Sequence, residues 1–436
     1  MLSFYSFESM DSLLRLCAHR VVAQCSLPTI PAHLYPVLFQ AAFRDGRHLF
    51  LWYLVATWPF KELHVRQLVG HLELDITKAL VKACVEVSKH QQEFQRHRPK
   101  QHKGCSGATT ATPQPPGVDV HTDLYVSKKS NKIVRDALQT GASAPLRIKC
   151  HKFQPRSISA SDIVNFLQCL DPSCLRRVEL RRCRLKLSDI LEILPHLSRF
   201  PELRSLSLQC TNIFGLPHRP ELANGIPNPD IPSTHQSSLG SHLSLFPPTS
   251  NLQTPLESLE LPFCSLIPDD LAFLSQSFHA PALKRLKLSS YDISQGLLEP
   301  LRLLLEKASA SLLHLDLSYC YIADSHLAVL LPTLLRCSRL RFLGLNSNPL
   351  SRAAIKDLLQ KTLELPNLHL VVYPYPLDCY TGDPSAFEWH LGEFVDAEIL
   401  AAAKSEFFQI LVNSGRTDIV WTDDPDSHKA PDYFSL

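Results

Sequence analysis

Three observations predict an α/β fold for this sequence: a leucine-rich-repeat solenoid preceded by an N-terminal helical region. A leucine pattern recurs about every 28 residues through the second half of the chain. The stretches between recurrences have helical spacing, and the first ninety residues lack the pattern.

The pattern is L-x-x-L-x-L-x-x-(N/C)-x-L, and six registers fit it. They are Leu175-Val178-Leu180-Cys183-Leu185, Leu203-Leu206-Leu208-Thr211-Ile213, Leu256-Leu259-Leu261-Cys264-Leu266, Leu283-Leu286-Leu288-Tyr291-Ile293, Leu312-Leu315-Leu317-Cys320-Ile322 and Leu340-Leu343-Leu345-Asn348-Leu350. A weaker seventh begins at Leu368 with Val371 and Tyr373. The starts lie 28, 53, 27, 29, 28 and 28 residues apart. In L-x-L the leucines point to one face of a short strand and the intervening side chains to the other. The ninth residue falls where the chain turns, so its side chain can satisfy backbone groups of the adjoining repeat. Ser188–Phe200 sets Ile190, Leu191, Leu194 and Leu197 on one side of a helix. Ala323–Cys337 does the same with Leu327, Leu330, Leu331, Leu334 and Leu335. A period near 28 leaves room for a full helix behind each strand, which predicts a strongly curved horseshoe. A chance leucine-rich bundle would not hold six registers at near-constant spacing.

Before the clear repeats, Val118–Val126 and Leu146–Phe153 read as strands, followed by helices over Lys128–Gln139 and Ser161–Leu170. These are degenerate repeats that cap the solenoid. The organisation is therefore a helical region over 1–90, a linker over 91–117, capping repeats over 118–174, repeats over 175–375 and a C-terminal helical cap over 376–436. The linker is polar, basic and proline-ended, and reads as solvated chain rather than a nuclear-import signal. The double interval after Leu203 contains an irregular insertion over 214–255 that is rich in Pro, Ser, Asn and His. It is either a loop or a degraded repeat.

Composition narrows the function. With 45% hydrophobic and 20% charged residues and a formal charge of +2, the chain is globular and has no global field to attract nucleic acid or an anionic membrane. Its longest apolar run, Leu49–Trp58, is far short of the ~20 residues of a membrane span and reads as a buried helix. Glu8 and Asp11 interrupt any signal-peptide pattern, and the 13 cysteines include no C-x-x-C pair. Free thiols in the reducing cytoplasm follow. No nucleotide-binding loop, nucleophile elbow or H-E-x-x-H is present. His90, His97, His102, His121 and Cys105 lack zinc-ligand spacing, and Cys17 and Cys183 read as buried packing residues rather than nucleophiles. No catalytic residue, cofactor or metal is expected.

The N-terminal region carries the sharpest motif. Residues 12–21, SLLRLCAHRV, place Ser12, Leu13, Cys17 and Val21 in the pattern [S/T/A/P]-L-x-x-x-C-x-x-x-[A/I/L/V]. Positions 13, 17 and 21 line one stripe of a helix. The pattern resembles the BC-box, by which ubiquitin-ligase substrate receptors dock on elongin C in a helix-in-groove mode. Nine residues later, IPAHLYPVL sets Ile30, Pro31, Leu34 and Leu38 in Φ-P-x-x-Φ-x-x-x-Φ, which resembles the cullin box. Packing of the same apolar residues as an N-terminal cap helix is the competing reading.

The stretch Leu27–Phe60, LPTIPAHLYPVLFQAAFRDGRHLFLWYLVATWPF, resembles the opening of the PRAME family. YPYPLDCY at Tyr373–Tyr380, GRTDIVW at Gly415–Trp421 and the terminal DYFSL at Asp432–Leu436 resemble its ending. The likeness fails over Gln91–Gly117 and Phe214–Thr254. It implies a substrate-recognition subunit of a cullin-2 RING ubiquitin ligase, with elongin B/C and cullin-2 as partners and the repeats holding a protein substrate. Ubiquitin transfer would belong to the associated RING subunit and its conjugating enzyme. The alternative is a repeat scaffold that binds and restrains a signalling protein without ubiquitination. In either case the outward strand residues carry specificity: Arg177, Glu179, Arg181, Glu260, Arg285, Lys287, His314, Asp316, Tyr319 and Phe342. Their composition predicts an acidic substrate segment with an apolar residue near Tyr319 and Phe342.

Overall fold

The computed structural model describes residues 17–18, 20, 30–69, 117–139, 146–210, 252–264, 266–289, 291–293, 296–381 and 395–424. The chain divides into two compact units: Met1–Cys183 with Arg199–Glu202, and Arg184–Ser198 with Leu203–Leu436. The boundary falls inside the strand of the first clear repeat. Most of the linker over 91–117 and of the insertion over 214–255 lies outside the described residues.

The first unit opens with helices α1 (Tyr35–Arg44) and α2 (His48–Ala56), the strand β1 (Glu62–His64) and a short helix α3 (Val65–Val69). Helix α2 is the predicted buried helix: Leu51, Leu54 and Val55 are all covered. The indole of Trp58 meets Tyr35 and Phe39 edge-on at 5.7 and 5.9 Å. Its Nε1 donates to the Glu62 carbonyl at 3.0 Å, which fixes the entry into β1. Strands β2 (Val118–Ser127), β3 (Leu146–Arg156) and β4 (Arg177–Leu185) follow, with α4 (Asn131–Gln139) and α5 (Ala160–Cys169) between them. β1, β2, β3 and β4 pair in parallel in chain order. Parallel neighbours need a crossover, which α4 supplies between β2 and β3 and α5 between β3 and β4. The strand β1 is new. Three residues are too few to show an alternating pattern, so a region expected to be helical contributes the first strand of the stack.

The second unit repeats one module. Helix α6 (Leu187–Ile193) is followed by β5 (Ser205–Cys210), β6 (Ser258–Glu260), α7 (Pro268–Gln276), β7 (Arg285–Lys287), α8 (Leu298–Ala308) and β8 (His314–Asp316). Then come α9 (Asp324–Leu334), β9 (Phe342–Gly344), α10 (Arg352–Thr362), β10 (Leu370–Val372), α11 (Ala397–Ser414) and β11 (Val420–Thr422). The strands β5 to β11 pair in parallel in chain order. Leu206, Leu259, Leu286, Leu315, Leu343 and Val371 face the helices and are fully buried. This is the leucine-rich-repeat architecture that the sequence predicts.

The ninth position acts as expected. Asn348 Oδ1 accepts from the Cys320 and Ile322 amides at 3.0 Å each, and its Nδ2 donates to the Leu317 and Leu345 carbonyls at 2.9 and 2.7 Å. The Tyr291 hydroxyl accepts from the Cys264 amide at 3.0 Å and donates to the Leu261 carbonyl. Cys320 Sγ donates to the Leu288 carbonyl at 3.1 Å. At the C-terminal end, the expected helical cap adds a strand as well. Gly415 closes α11 in the left-handed region at φ 70, and Arg416 donates to the carbonyls of Leu363, Leu365 and Leu368 at 2.6, 3.1 and 3.2 Å. That cap delivers β11 to the edge of β10, where Trp421 stacks on Tyr373 at 5.5 Å.

Candidate protein-interaction site

Cys17, Ala18 and Arg20 are helical, whereas Ser12, Leu13 and Val21 lie outside the described residues. Cys17 is exposed and its neighbour Ala18 is buried. The expectation that Cys17 is a packing residue is therefore corrected: the helix rests on another face. Cys183 does pack. Its thiol donates to the Pro155 carbonyl at 3.2 Å, and burial pushes its pKa up to about 11, so it is no nucleophile at neutral pH. In the second box Pro31 is exposed and Ile30 and Leu34 are half-buried around the single turn Ala32–Leu34. Leu38 is only 5% exposed, inside the core of the first unit, and cannot meet a partner as folded. That assignment is corrected too.

The helix-free face of the second unit is built in rows, because parallel strands in register set equivalent residues side by side about 4.8 Å apart. One row runs Ser205, Ser258, Arg285, His314, Phe342, Leu370, Val420. The next runs Ser207, Glu260, Lys287, Asp316, Gly344, Val372, Thr422. The chosen residues do leave the leucine face, but the expectation that they are free is wrong for half of the ten. Glu260, His314, Asp316 and Phe342 are buried, as is Glu179 in the first unit.

They are buried because they serve one another. Arg285 lies 3.5 Å from Glu260, and Lys287 pairs with Asp316. Asp316 also accepts from the Ser318 hydroxyl at 2.7 Å. Gly344 leaves the space that this carboxylate occupies, since a Cβ there would stand 2.8 Å from Asp316 Oδ1. The His314 ring stacks on Phe342 at 4.1 Å, and Phe342 joins Leu370, Val372 and Val420 in an apolar end to the face. Burial, aided by the Arg285 and Lys287 cations, pushes the His314 imidazole down to about 3, so it is neutral at pH 7. In the first unit Glu179 takes Arg177 at 2.7 Å and Lys152 at 3.0 Å. The basic patches are thus largely neutralised from within.

Tyr319 differs, being 44% exposed. It sits in the left-handed region at φ 60, one residue before the ninth position. Phe263 occupies the same place two repeats earlier, with φ 60 and 48% exposure. Side chains rarely adopt that conformation, and strained residues of this kind cluster at functional sites. Sequence reasoning missed Phe263. The available signal was its position, directly before Cys264 in the repeat.

On the helix-free face of the first unit, β1, β2 and β3 bring together three histidines that no spacing rule connects. His64 and His121 stack at 4.5 Å, and His121 and His151 at 5.1 Å. His64 Nε2 donates to Glu62 at 2.9 Å, and His121 Nδ1 meets His151 Nε2 at 2.9 Å. The grouping of His121 with His90, His97, His102 and Cys105 is not seen, since those four lie outside the described residues.

Profiles described as the PRAME N-terminal domain and the PRAME C-terminal domain match residues 9–101 and 239–428. A leucine-rich repeat-containing protein 14 of Xenopus laevis is 34% identical, over 98% of this chain and all of the relative. The chain belongs to the PRAME family. A second relative of that name, from Mus musculus, is 35% identical over 96% of this chain and 98% of its own length. Among solved structures, the yeast Rad7 and Elc1 complex is similar with a TM-score of 0.36 and 13% identity, over 84% of this chain and 88% of that one. In this PRAME-family chain the motifs of both ends now have physical roles. Tyr35, Phe39 and Trp58 build the first core, while Tyr373, Arg416 and Trp421 seat the last strand. Among the described residues no helix is long and apolar enough to cross a membrane.

Proposed function

We propose that this chain is the substrate-recognition subunit of a cullin-2 RING ubiquitin ligase. The observation that carries the reading is the exposure of Cys17 beside a buried Ala18. Leu13 and Val21 lie outside the described residues, but in the sequence they stand four residues to either side of Cys17, the spacing of one helix stripe, and docking on elongin C requires such a stripe to face solvent. Pro31, with the half-buried Ile30 and Leu34, forms the cullin contact, and Leu38 supports it from the core. Substrate is held at the exposed aromatic strand exits, Phe263 and Tyr319, with Arg177, Arg181, Arg285 and Lys287 contributing only what their internal partners leave. Ubiquitin transfer is the work of the associated subunits.

The test is copurification of the full chain with elongin B/C and cullin-2. Leu13→Ala with Cys17→Ala removes the apolar plug, and each such hot spot contributes about 2 kcal/mol or more, so elongin affinity falls about 30-fold for either change and several hundredfold for both. Stoichiometric capture by the double variant ends the proposal. Pro31→Ala with Leu34→Ala reduces cullin capture and leaves elongin in place.

A further inference from the structure

The direction of every hydrogen bond in the histidine group of the first unit follows from its ends. The Cys174 carbonyl can only accept, so His151 donates to it from Nδ1, at 3.1 Å. Donation from Nδ1 leaves the lone pair of a neutral His151 on Nε2. His121 must therefore donate from Nδ1 at 2.9 Å, and its own lone pair is left on Nε2.

We propose that Glu62, His64 and His121 form a binding site for a divalent transition cation of the Zn²⁺ type. These three side chains can each bring a ligand atom within 4.8 Å of the others. Two imidazoles and a carboxylate suit Zn²⁺, and two nitrogen donors disfavour Ca²⁺ and Mg²⁺. Metal–ligand bonds of about 2.0–2.2 Å put tetrahedral N and O ligands roughly 3.3 Å apart. Glu62 and His64 already stand at 2.9 Å, so the ion takes the place of the proton on His64 Nε2, and the ring stays neutral by carrying its proton on Nδ1 instead. The Glu62 side chain is 58% exposed, which leaves a fourth position for water. His151 and the Cys174 carbonyl hold the tautomer and plane of His121, the arrangement that metal-bound histidines generally need. Lys149, beside His121 in the register, is turned away onto Asp171, so its charge is already matched. The ion would pin β1 to β2, two strands that residues 65–117 separate in sequence.

Full-length protein stripped with a chelator is titrated with Zn²⁺ by calorimetry and with Co²⁺ as a spectroscopic probe. The expected result is uptake of one equivalent, with a four-coordinate Co²⁺ spectrum free of thiolate charge transfer. His64→Gln and His121→Gln abolish it. His151→Gln keeps the stoichiometry and weakens affinity about 10–100-fold, as loss of an orienting partner does. Glu62→Gln, on an exposed side chain that leaves the strand intact, weakens it too. Uptake unchanged in Glu62→Gln and His64→Gln overturns the assignment. So does a thiolate band, or uptake that is lost instead with His90→Gln, His97→Gln and His102→Gln.

Discussion

The two units present the same backbone surface, a row of parallel strands, and, apart from the buried Asp123 and Glu179 of the first, furnish it in opposite ways. In the first, Glu62, Asp119, Arg147, His64 and His121 are half-exposed or fully exposed. In the second, Glu260, His314 and Asp316 are sealed between neighbouring strands and an apolar end built on Phe342. An exposed pair trades one aqueous environment for another and contributes little, whereas a buried carboxylate depends on its partner entirely. The difference teaches that an outward-pointing charge on a repeat strand is not thereby a recognition residue. Row neighbours decide whether it faces a partner or the fold itself.

The contrast can be tested from its largest consequence downward. Asp316→Ala strands the Lys287 ammonium that it pairs with. It should cost about 3 kcal/mol in chemical denaturation, and a loss below ~1 kcal/mol would mean the row is merely a solvated surface.

Acid sharpens the contrast next. The folded pKa of His314, near 3, lies below its unfolded value of 6.5, so the unfolded chain takes up the extra proton. The stabilisation is complete above pH 6.5 and declines as pH falls toward 3, reaching a loss of about 2 kcal/mol at pH 5. His314→Phe, which keeps the stack on Phe342, should flatten the stability profile between pH 8 and 5. An unchanged slope would place the titration elsewhere, since Arg285, Lys287 and Asp316 are the charged groups that surround the ring.

The smallest effect belongs to the first unit. Asp119 and Arg147 form a 2.5 Å pair with side chains 26% and 36% exposed. Asp119→Ala should lower stability by less than about 1 kcal/mol, with the remainder screened by 0.5 M salt. A loss equal to that of Asp316→Ala would erase the distinction between the two faces.

The repeat itself was legible in the sequence, because burial of a leucine at a fixed interval is a local demand that composition cannot imitate. The period, the strands from Leu256 onward, the helices behind them and the role of Asn348 all follow from spacing. So do the degenerate strands over 118–126 and 146–153, which reach as far as Ser127 and Arg156. The alternation also said which side chains leave the core. It could not say which of them remain free. The burial of Glu260, His314, Asp316 and Phe342 depends on residues about 28 positions away that register brings alongside, and the room for Asp316 depends on Gly344. Leu38 likewise fits a docking motif and a core equally well, and only the packing of α1 in the first unit assigns it to the core. The meeting of His64, His121 and His151 was beyond any spacing rule, since parallel strands join segments 57 and 30 residues apart. Period and polarity are properties of neighbours along the chain, and the sequence alone determined them. Exposure, ion pairing and metal-ligand geometry are properties of neighbours across it, and those the tertiary structure decided.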